Sequence, residues 1–143
     1  MMIIKEIAVN VNILNSRIKK FFFDKLQENG INITPEQFLV LDILWKEQSL
    51  SQQKIADIIQ KDKNSVTKII DSLEKKNLVR REVDKNDRRI NKIELTDEAV
   101  ALEKLTTEVA INFMNDVVKG IDNKDLDTFV NVMRLLKNNL EGE

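Results

Sequence analysis

The chain has 143 residues, of which 42% are hydrophobic and 33% charged, with three glycines and one proline. This composition predicts one compact domain, or one domain with extra packing elements, and excludes disordered and collagen-like chains. The longest unbroken apolar runs have four residues, so no segment reaches the roughly 20 residues of a membrane-spanning helix. The absence of cysteine and histidine from the sequence excludes disulfides, thiol redox sensing, Cys or Ser-His nucleophiles and the usual zinc sites. We therefore expect no catalytic site, no metal and no cofactor.

The N-terminal residues give an expectation about location. Lys5, Glu6 and Asn10 interrupt the apolar residues there, which is unlike the continuous apolar core of a signal peptide. We therefore expect a cytoplasmic protein that does not enter a membrane.

The formal net charge of −1 hides an uneven distribution of charge along the chain. Residues 1–50 are neutral, residues 51–93 carry a net +5, and residues 94–143 carry a net −6. A basic block between neutral and acidic segments indicates an anionic partner for the middle of the chain. The alternative is that these charges are scattered over an ordinary solvated surface.

The first predicted element is a long amphipathic helix from about residue 3 to Glu28, ended by Gly30. Its apolar residues alternate at spacings of three and four, which forms the seam typical of helix pairing. One helix cannot bury such a stripe, so it needs other helices of the same chain or a second copy of the chain. The stripe consists of Ile4, Ile7, Val11, Leu14, Ile18 and Phe21.

Two shorter helices follow. The first of them starts with a capping box, in which Thr34 is the N-cap and Gln37 is its partner three residues on. Pro35 lies in the first turn, where no backbone N–H group is needed. A polar connection then leads through Leu50 to Ser51, which is the expected N-cap of a helix of about eight residues. The predicted buried face of the first helix is Phe38, Leu41, Leu44 and Trp45.

The next segment predicts a helix over residues 63–76, stopped at Asn77, and then a β-hairpin. The hairpin strands are residues 78–83 and 90–95, because both are short β-prone runs separated by polar, turn-forming residues. The core-facing stripe of the helix is Val66, Ile69, Ile70 and Leu73.

Two further helices complete the chain. Thr96 is the expected N-cap of the first, which Gly120 closes, and Asp122 is the expected N-cap of the second. The apolar face of the first is Leu102, Leu105, Val109, Phe113 and Val117, and that of the second is Leu126, Phe129, Val130, Met133, Leu136 and Leu140.

This order of elements predicts a fold that is mainly α, with a small β-hairpin wing: a winged helix-turn-helix flanked by N- and C-terminal helices. In that fold the last helix of the motif enters the major groove of DNA. Asn, Lys, Ser and Thr side chains suit base edges and phosphates, although an ordinary solvated helix face is the alternative. The candidate DNA-binding residues on this helix are Lys63, Asn64, Ser65, Thr67 and Lys68, with Asp71 on the same outer face.

The hairpin turn carries the second set of candidates, Lys85, Arg88 and Arg89. Arginines on a projecting turn suit the negative potential of a narrow minor groove. Asp87 precedes the two arginines and is expected to orient one guanidinium group. The alternative, that these charges serve only solubility, is less favoured because residues 80–92 carry six basic side chains against three acidic ones.

The segment SVTKIIDSLEKKNLVRREVDKNDRRINKIELT (65–96), and DRRINKIELT (87–96) above all, resembles the MarR family of bacterial transcription regulators. The resemblance extends over essentially the whole chain. It implies that Ser65, Thr67 and Lys68 contact DNA and that Arg89 enters the minor groove. Two positions depart from the family pattern, Asn77 where Gly is usual and Lys85 where Pro is often found.

The resemblance also implies an assembly, a homodimer with interlocked terminal helices that reads a pseudo-palindromic operator in double-stranded DNA. Because the +5 block coincides with the helix-turn-helix and the wing, the leading hypothesis is a transcription regulator that acts as a repressor. The expected parts are an N-terminal dimerisation helix (1–33), a DNA-binding lobe (34–96) and C-terminal dimerisation helices (97–143). The physical pattern agrees, since two-fold pairing would cover the terminal apolar stripes. The alternative function is a winged-helix module for protein–protein contact, because a fold alone does not fix a function.

A further implication of the resemblance is a small aromatic or anionic effector bound between the dimer helices and the DNA-binding lobe. Phe22, Phe38 and Trp45 are the candidate lining residues. The residues themselves favour a different interpretation, in which these aromatic side chains are part of the hydrophobic core.

Overall fold

The computed structural model describes residues 2–141 and contains six helices and three short strands within that range. The helices are α1 (Met2–Glu28), α2 (Pro35–Glu47), α3 (Gln52–Ile59), α4 (Lys63–Lys75), α5 (Asp97–Val117) and α6 (Asn123–Leu140). The strands are β1 (Ser49–Ser51), β2 (Val79–Val83) and β3 (Asn91–Leu95). The predicted order of elements and the mainly helical fold with a hairpin wing are confirmed.

Most helices begin where local capping chemistry predicts. The backbone N–H of Gln37 donates to Thr34 Oγ1 at 3.1 Å, and the backbone N–H of Thr34 donates to Gln37 Oε1 at 3.0 Å, so the capping box is complete. Ser51 and Thr96 cap α3 and α5 through their hydroxyl groups. Asp122 occupies the N-cap position of α6, but its side chain makes no capping hydrogen bond, which corrects that part of the prediction.

The sheet has one strand more than the sequence predicts. The hairpin of β2 and β3 is antiparallel with Arg81 opposite Ile93, and β1 pairs with the other edge of β3, with Leu50 opposite the same Ile93. Three residues carry too little periodicity to reveal a strand, and β1 exists only because a distant strand supplies its partners. The base of the wing is thereby tied to the start of α3.

The core of the chain lies mainly in the winged-helix lobe, and buried residues of α1, α5 and the segment before α2 complete it. Asn77, at φ 60°, takes the left-handed conformation that lets the chain leave α4 and enter β2, as expected of a residue replacing Gly. Trp45 and Ile69 are only half-buried, whereas Val40 is fully buried. The fully buried large side chains are Leu26, Ile31, Ile33, Leu41, Leu44, Ile55, Ile70, Leu73, Ile93, Val40, Val66 and Val79.

The terminal helices behave differently from the lobe. Within residues 2–141, α6 makes no substantial contact with another element and has no buried residue, and α1 buries only Phe22 and Leu26. Leu105 and Val117, which belong to the predicted apolar face of α5, are each 43% exposed. Packing inside one chain therefore leaves the predicted stripes of α1 and α6 uncovered. Across these residues no helix is long and apolar enough to span a membrane.

Candidate nucleic-acid interface

The helix α4, hereafter the recognition helix, begins at a rigid cap. Asp62 Oδ2 accepts the backbone N–H of Ser65 at 3.2 Å, and the hydroxyl of Ser65 donates to Asp62 Oδ1. These hydrogen bonds from Ser65 hold the pKa of Asp62 below its ordinary value. Ser65 therefore has its hydroxyl proton committed to the cap, and its oxygen lone pairs remain for an outside donor.

The outer face of the recognition helix divides into exposed and committed side chains. Lys63, Asn64 and Lys68 are exposed. Thr67 is half-buried, and its hydroxyl donates to the Lys63 carbonyl at 2.9 Å and accepts the side-chain N–H of Gln52 at 2.8 Å. Among the predicted DNA-binding residues of this helix, Lys63, Asn64 and Lys68 therefore have the side chains most available to a ligand.

The wing loop, residues 84–90, is built around Asp84. Its Oδ1 accepts the backbone N–H groups of Asn86 at 2.7 Å and Asp87 at 3.2 Å, and Lys92 Nζ lies 3.5 Å from Oδ2. The N–H bonds, with Lys92 as a smaller influence, hold the pKa of Asp84 below its ordinary value. This carboxylate orders the turn, a role that the charge pattern alone did not indicate.

At the tip of the wing, Asp87 and Arg89 form a two-pronged ion pair. Arg89 Nε donates to Asp87 Oδ1 at 3.1 Å and Arg89 Nη2 donates to Oδ2 at 3.0 Å. The pair lowers the pKa of Asp87 and raises that of Arg89, so both remain charged at neutral pH. The Arg89 side chain is still 90% exposed, which means that it is oriented without being covered. Lys85 and Arg88 are exposed beside it.

A cleft of about 400 Å³ lies between the start of the recognition helix, the start of α3 and the wing. Lys63 comes to it from the helix and Arg89 from the wing, so two separately predicted regions meet on one concave surface. The amide side chains beside them, Gln52, Gln53 and Asn91, were not predicted, because they lie outside the helix and the turn that carry the predicted candidates. The polar side chains of the cleft are Ser51, Gln52, Gln53, Lys63, Arg89 and Asn91.

The predicted aromatic residues lie together on the other side of the lobe. The ring centroids of Phe22 and Phe38 are 5.0 Å apart, Phe113 stacks on Phe22 at 5.0 Å, and Trp45 is 6.3 Å from Phe38. Phe22, Phe38 and Phe113 line a groove of about 400 Å³ between α1, α2 and α5, with Lys19 on its wall.

Trp45 does not line this groove. Its indole N–H donates to the Ala99 carbonyl at 3.0 Å, and its ring faces a different depression near β3. The prediction that all three aromatic residues line one pocket is therefore corrected for Trp45, because its polar end is tied to the start of α5.

No group of three or more His, Cys, Asp or Glu side chains in residues 2–141 is arranged to hold a metal ion. The three helices α2, α3 and α4, followed by the β2–β3 hairpin, define a winged helix-turn-helix protein. Residues 33–90 match the model of the MarR family. The winged helix-turn-helix region of the chain, residues 33–90, is therefore a MarR-family domain.

A curated relative and two solved structures are similar to this chain. The chain is 32% identical over 96 residues to the HTH-type transcriptional repressor MdtR of Bacillus subtilis, an alignment covering 67% of this chain and 61% of that protein. It is 24% identical to MepR of S. aureus in its DNA complex, with a TM-score of 0.83 and 92% and 96% of the two chains covered. It is 18% identical to the organohalide-sensing regulator RdhR in its 2,4-dichlorophenol-bound form, with a TM-score of 0.89 and 96% and 80% covered.

The two structural neighbours establish the fold. The chain spans between about half and three-fifths of the length of the curated relatives that it matches. Those relatives and the family are transcription regulators rather than enzymes.

Proposed function

We propose that this protein is a homodimeric DNA-binding transcription regulator that acts as a repressor. The observation that carries the proposal is the shared cleft, where Lys63 of the recognition helix and Arg89 of the wing face the same space. A convex duplex with a charged backbone fits a concave basic surface framed by a helix and a wing. The name of the B. subtilis relative MdtR favours repression. DNA binding of this kind implies a cytoplasmic location.

The proposed contacts follow from exposure and position. The recognition helix enters the major groove, and the wing tip follows the adjacent minor groove. Ser65 and Thr67 hold the helix start and approach DNA with their remaining lone pairs and the Thr67 methyl group. The proposed DNA-binding residues are Lys63, Asn64, Ser65, Thr67, Lys68, Lys85, Asp87, Arg88 and Arg89.

The dimer is proposed from the uncovered helices. The predicted stripe residues of α1 and α6 are all at least 36% exposed except Leu126, which is half-buried. Contiguous apolar surface of this kind is rarely left in water by a folded protein. Pairing of residues 1–33 and 97–143 between two chains would cover both helices and leave the lobe of residues 34–96 free for DNA. The net charge of −6 over residues 94–143 would then lie away from the phosphates.

The test of DNA binding is a gel shift with duplexes from the region upstream of the protein's own gene. We expect a complex that weakens by about 10³-fold or more between 50 and 200 mM salt, because six or more phosphate contacts release counterions. A scrambled duplex of equal length and base composition is the control, and it should bind far more weakly. If no upstream duplex forms a salt-sensitive complex, the proposal is wrong.

We also propose that the groove lined by Phe22, Phe38 and Phe113 binds a small aromatic or anionic effector. The apolar walls suit a planar ring, and the ammonium group of Lys19 at the wall suits an anionic substituent. The solved regulator RdhR binds 2,4-dichlorophenol, which is a molecule of this type.

The effector proposal is tested by thermal shift against phenols and aromatic acids. A ligand at 100 times its dissociation constant stabilises the folded state by about 2.7 kcal/mol, so we expect a clear rise in Tm for at least one compound. Leu39→Trp places a large side chain at the groove and should abolish the shift, whereas Ile58→Trp, at an equally exposed site on α3, should not. No shift with any compound, or an equal shift in both variants, would contradict the groove as the site.

A further inference from the structure

Two adjacent arginines of β2 point to opposite faces of the strand. Arg80 points away from the recognition helix, with its side chain 55% exposed and its guanidinium 3.8 Å from Glu94. Arg81 points back, with its side chain only 21% exposed. Alternation along a strand places neighbouring side chains on opposite faces, so the two cannot share a role.

Arg81 forms ion pairs with two carboxylates of the recognition helix. Its Nη1 lies 2.7 Å from Asp71 Oδ1 and 2.9 Å from Glu74 Oε1. Asp71 and Glu74 are one turn apart on the helix, so a single guanidinium group bridges them. A compact Lys ammonium at the end of a flexible stem would not reproduce this planar arrangement.

The same side chain also reaches the junction of α3 with the recognition helix. Arg81 Nε donates to Gln52 Oε1 at 3.4 Å, and Nη2 donates to the Thr67 carbonyl at 3.5 Å. Gln52 in turn donates to the Thr67 hydroxyl at 2.8 Å. One wing residue therefore joins β2, α3 and the recognition helix.

The charges involved lie close to the proposed DNA surface. Asp71 and Glu74 have side chains about half exposed on the recognition helix, where free carboxylates would repel phosphates. Arg81 directs its positive charge at both of them. Four of the five guanidinium N–H donors are thereby committed inside the protein, so at most one is left for a phosphate.

We propose that Arg81 is a positioning residue for DNA binding. It braces the wing against the recognition helix and masks Asp71 and Glu74 from the DNA backbone, and it does not touch DNA itself. The masking role depends on the proposed DNA-binding function, whereas the brace is a property of the free protein.

The masking role is tested by a mutant cycle with the tightest 40-base-pair duplex that the wild type selects from a random pool. In the wild-type background, Arg81→Gln should weaken binding to this duplex about tenfold. It should change binding by less than about twofold in the Asp71→Asn/Glu74→Gln background, where no carboxylate needs masking. Equal losses in the two backgrounds would overturn the masking role.

Salt dependence separates masking from direct contact. In the Asp71→Asn/Glu74→Gln background, Arg81→Gln should leave the slope of log K against log salt unchanged. A direct phosphate contact would instead reduce the slope by about one unit for each copy of the residue. Arg80→Gln is the matched control, because it removes the same charge from the opposite face of β2 and should have the same small effect in both backgrounds.

Hydrogen exchange in the free protein tests the brace without DNA. Arg81→Gln should speed exchange of the backbone amides of residues 84–90 by about fivefold or more, and Arg80→Gln should not. Equal exchange in the two variants would overturn the brace. A wild type that selects no duplex would overturn the proposed function and the masking role together, while exchange would still decide the brace.

Discussion

We expect Met133→Glu to convert the proposed dimer into a monomer. Met133 lies at the centre of the α6 stripe, with Phe129, Val130, Leu136 and Leu140 around it, and is 38% exposed in a single chain. An interface that covers this stripe would bury one uncompensated carboxylate from each chain, at a cost of at least about 3–5 kcal/mol. The dissociation constant of the dimer should rise by about 10²-fold to 10³-fold or more. Sedimentation across a concentration series measures it directly.

The DNA affinity of Met133→Glu should fall together with its dimerisation. A monomer engages one half-site, so it loses the effective-concentration advantage of two linked lobes, which is typically about 10² to 10⁴ in apparent affinity. The control is Asn131→Glu, which adds the same charge to the opposite face of α6, and it should leave both dimer and DNA affinity unchanged. If Met133→Glu sediments as a dimer with the wild-type dissociation constant, α6 does not form the interface.

Local chemistry made most of the fold predictable. The capping box at Thr34 and Gln37 and the hydroxyl caps at Ser51 and Thr96 depend on residues within one turn, so the sequence contains the whole motif. The hairpin was predictable for the same reason. The strand β1 was not, because Leu50 joins a sheet only through its pairing with Ile93, more than 40 residues away.

In the candidate site, too, contacts between residues near in sequence were predictable and contacts between distant elements were not. Asp87 and Arg89 are two residues apart, and their ion pair was expected from sequence. Arg81 was counted among the basic residues, yet its partners Asp71 and Glu74 belong to another element. Strand alternation offered one clue, since Arg81 shares a face with the buried Val79 and Arg80 does not.

Asp71 and Trp45 show that the type of a residue and its place on a helix do not predict which partner its side chain binds. Asp71 was expected on the outer face beside the DNA-binding residues, and it is exposed there, but its charge is paired with Arg81 at 2.7 Å. Trp45 was expected to line an effector pocket with Phe22 and Phe38, as the family resemblance implies. The hydrogen bond from its indole to the Ala99 carbonyl instead holds it at the start of α5.

We expect Arg89→Ala to weaken binding to the selected duplex by about 1–3 kcal/mol per wing, which is roughly fivefold to 150-fold for each contact. Asp87 holds the guanidinium in a fixed orientation while leaving the side chain 90% exposed. The group therefore loses less conformational entropy when it enters a narrow minor groove than a free arginine would. Fluorescence anisotropy at constant salt measures the loss.

Two further variants separate the charge of Arg89 from its shape. Arg89→Lys keeps the charge but loses the two-pronged pairing with Asp87, so it should recover only part of the lost affinity. Arg80→Ala removes an arginine from the face of β2 opposite to Arg81, where its guanidinium lies 3.8 Å from Glu94, and it should cost much less than Arg89→Ala. Equal losses for Arg80→Ala and Arg89→Ala would mean that the wing acts only through its net charge. Unchanged affinity in Arg89→Ala would refute its minor-groove role, because an oriented guanidinium in that groove cannot be removed without cost.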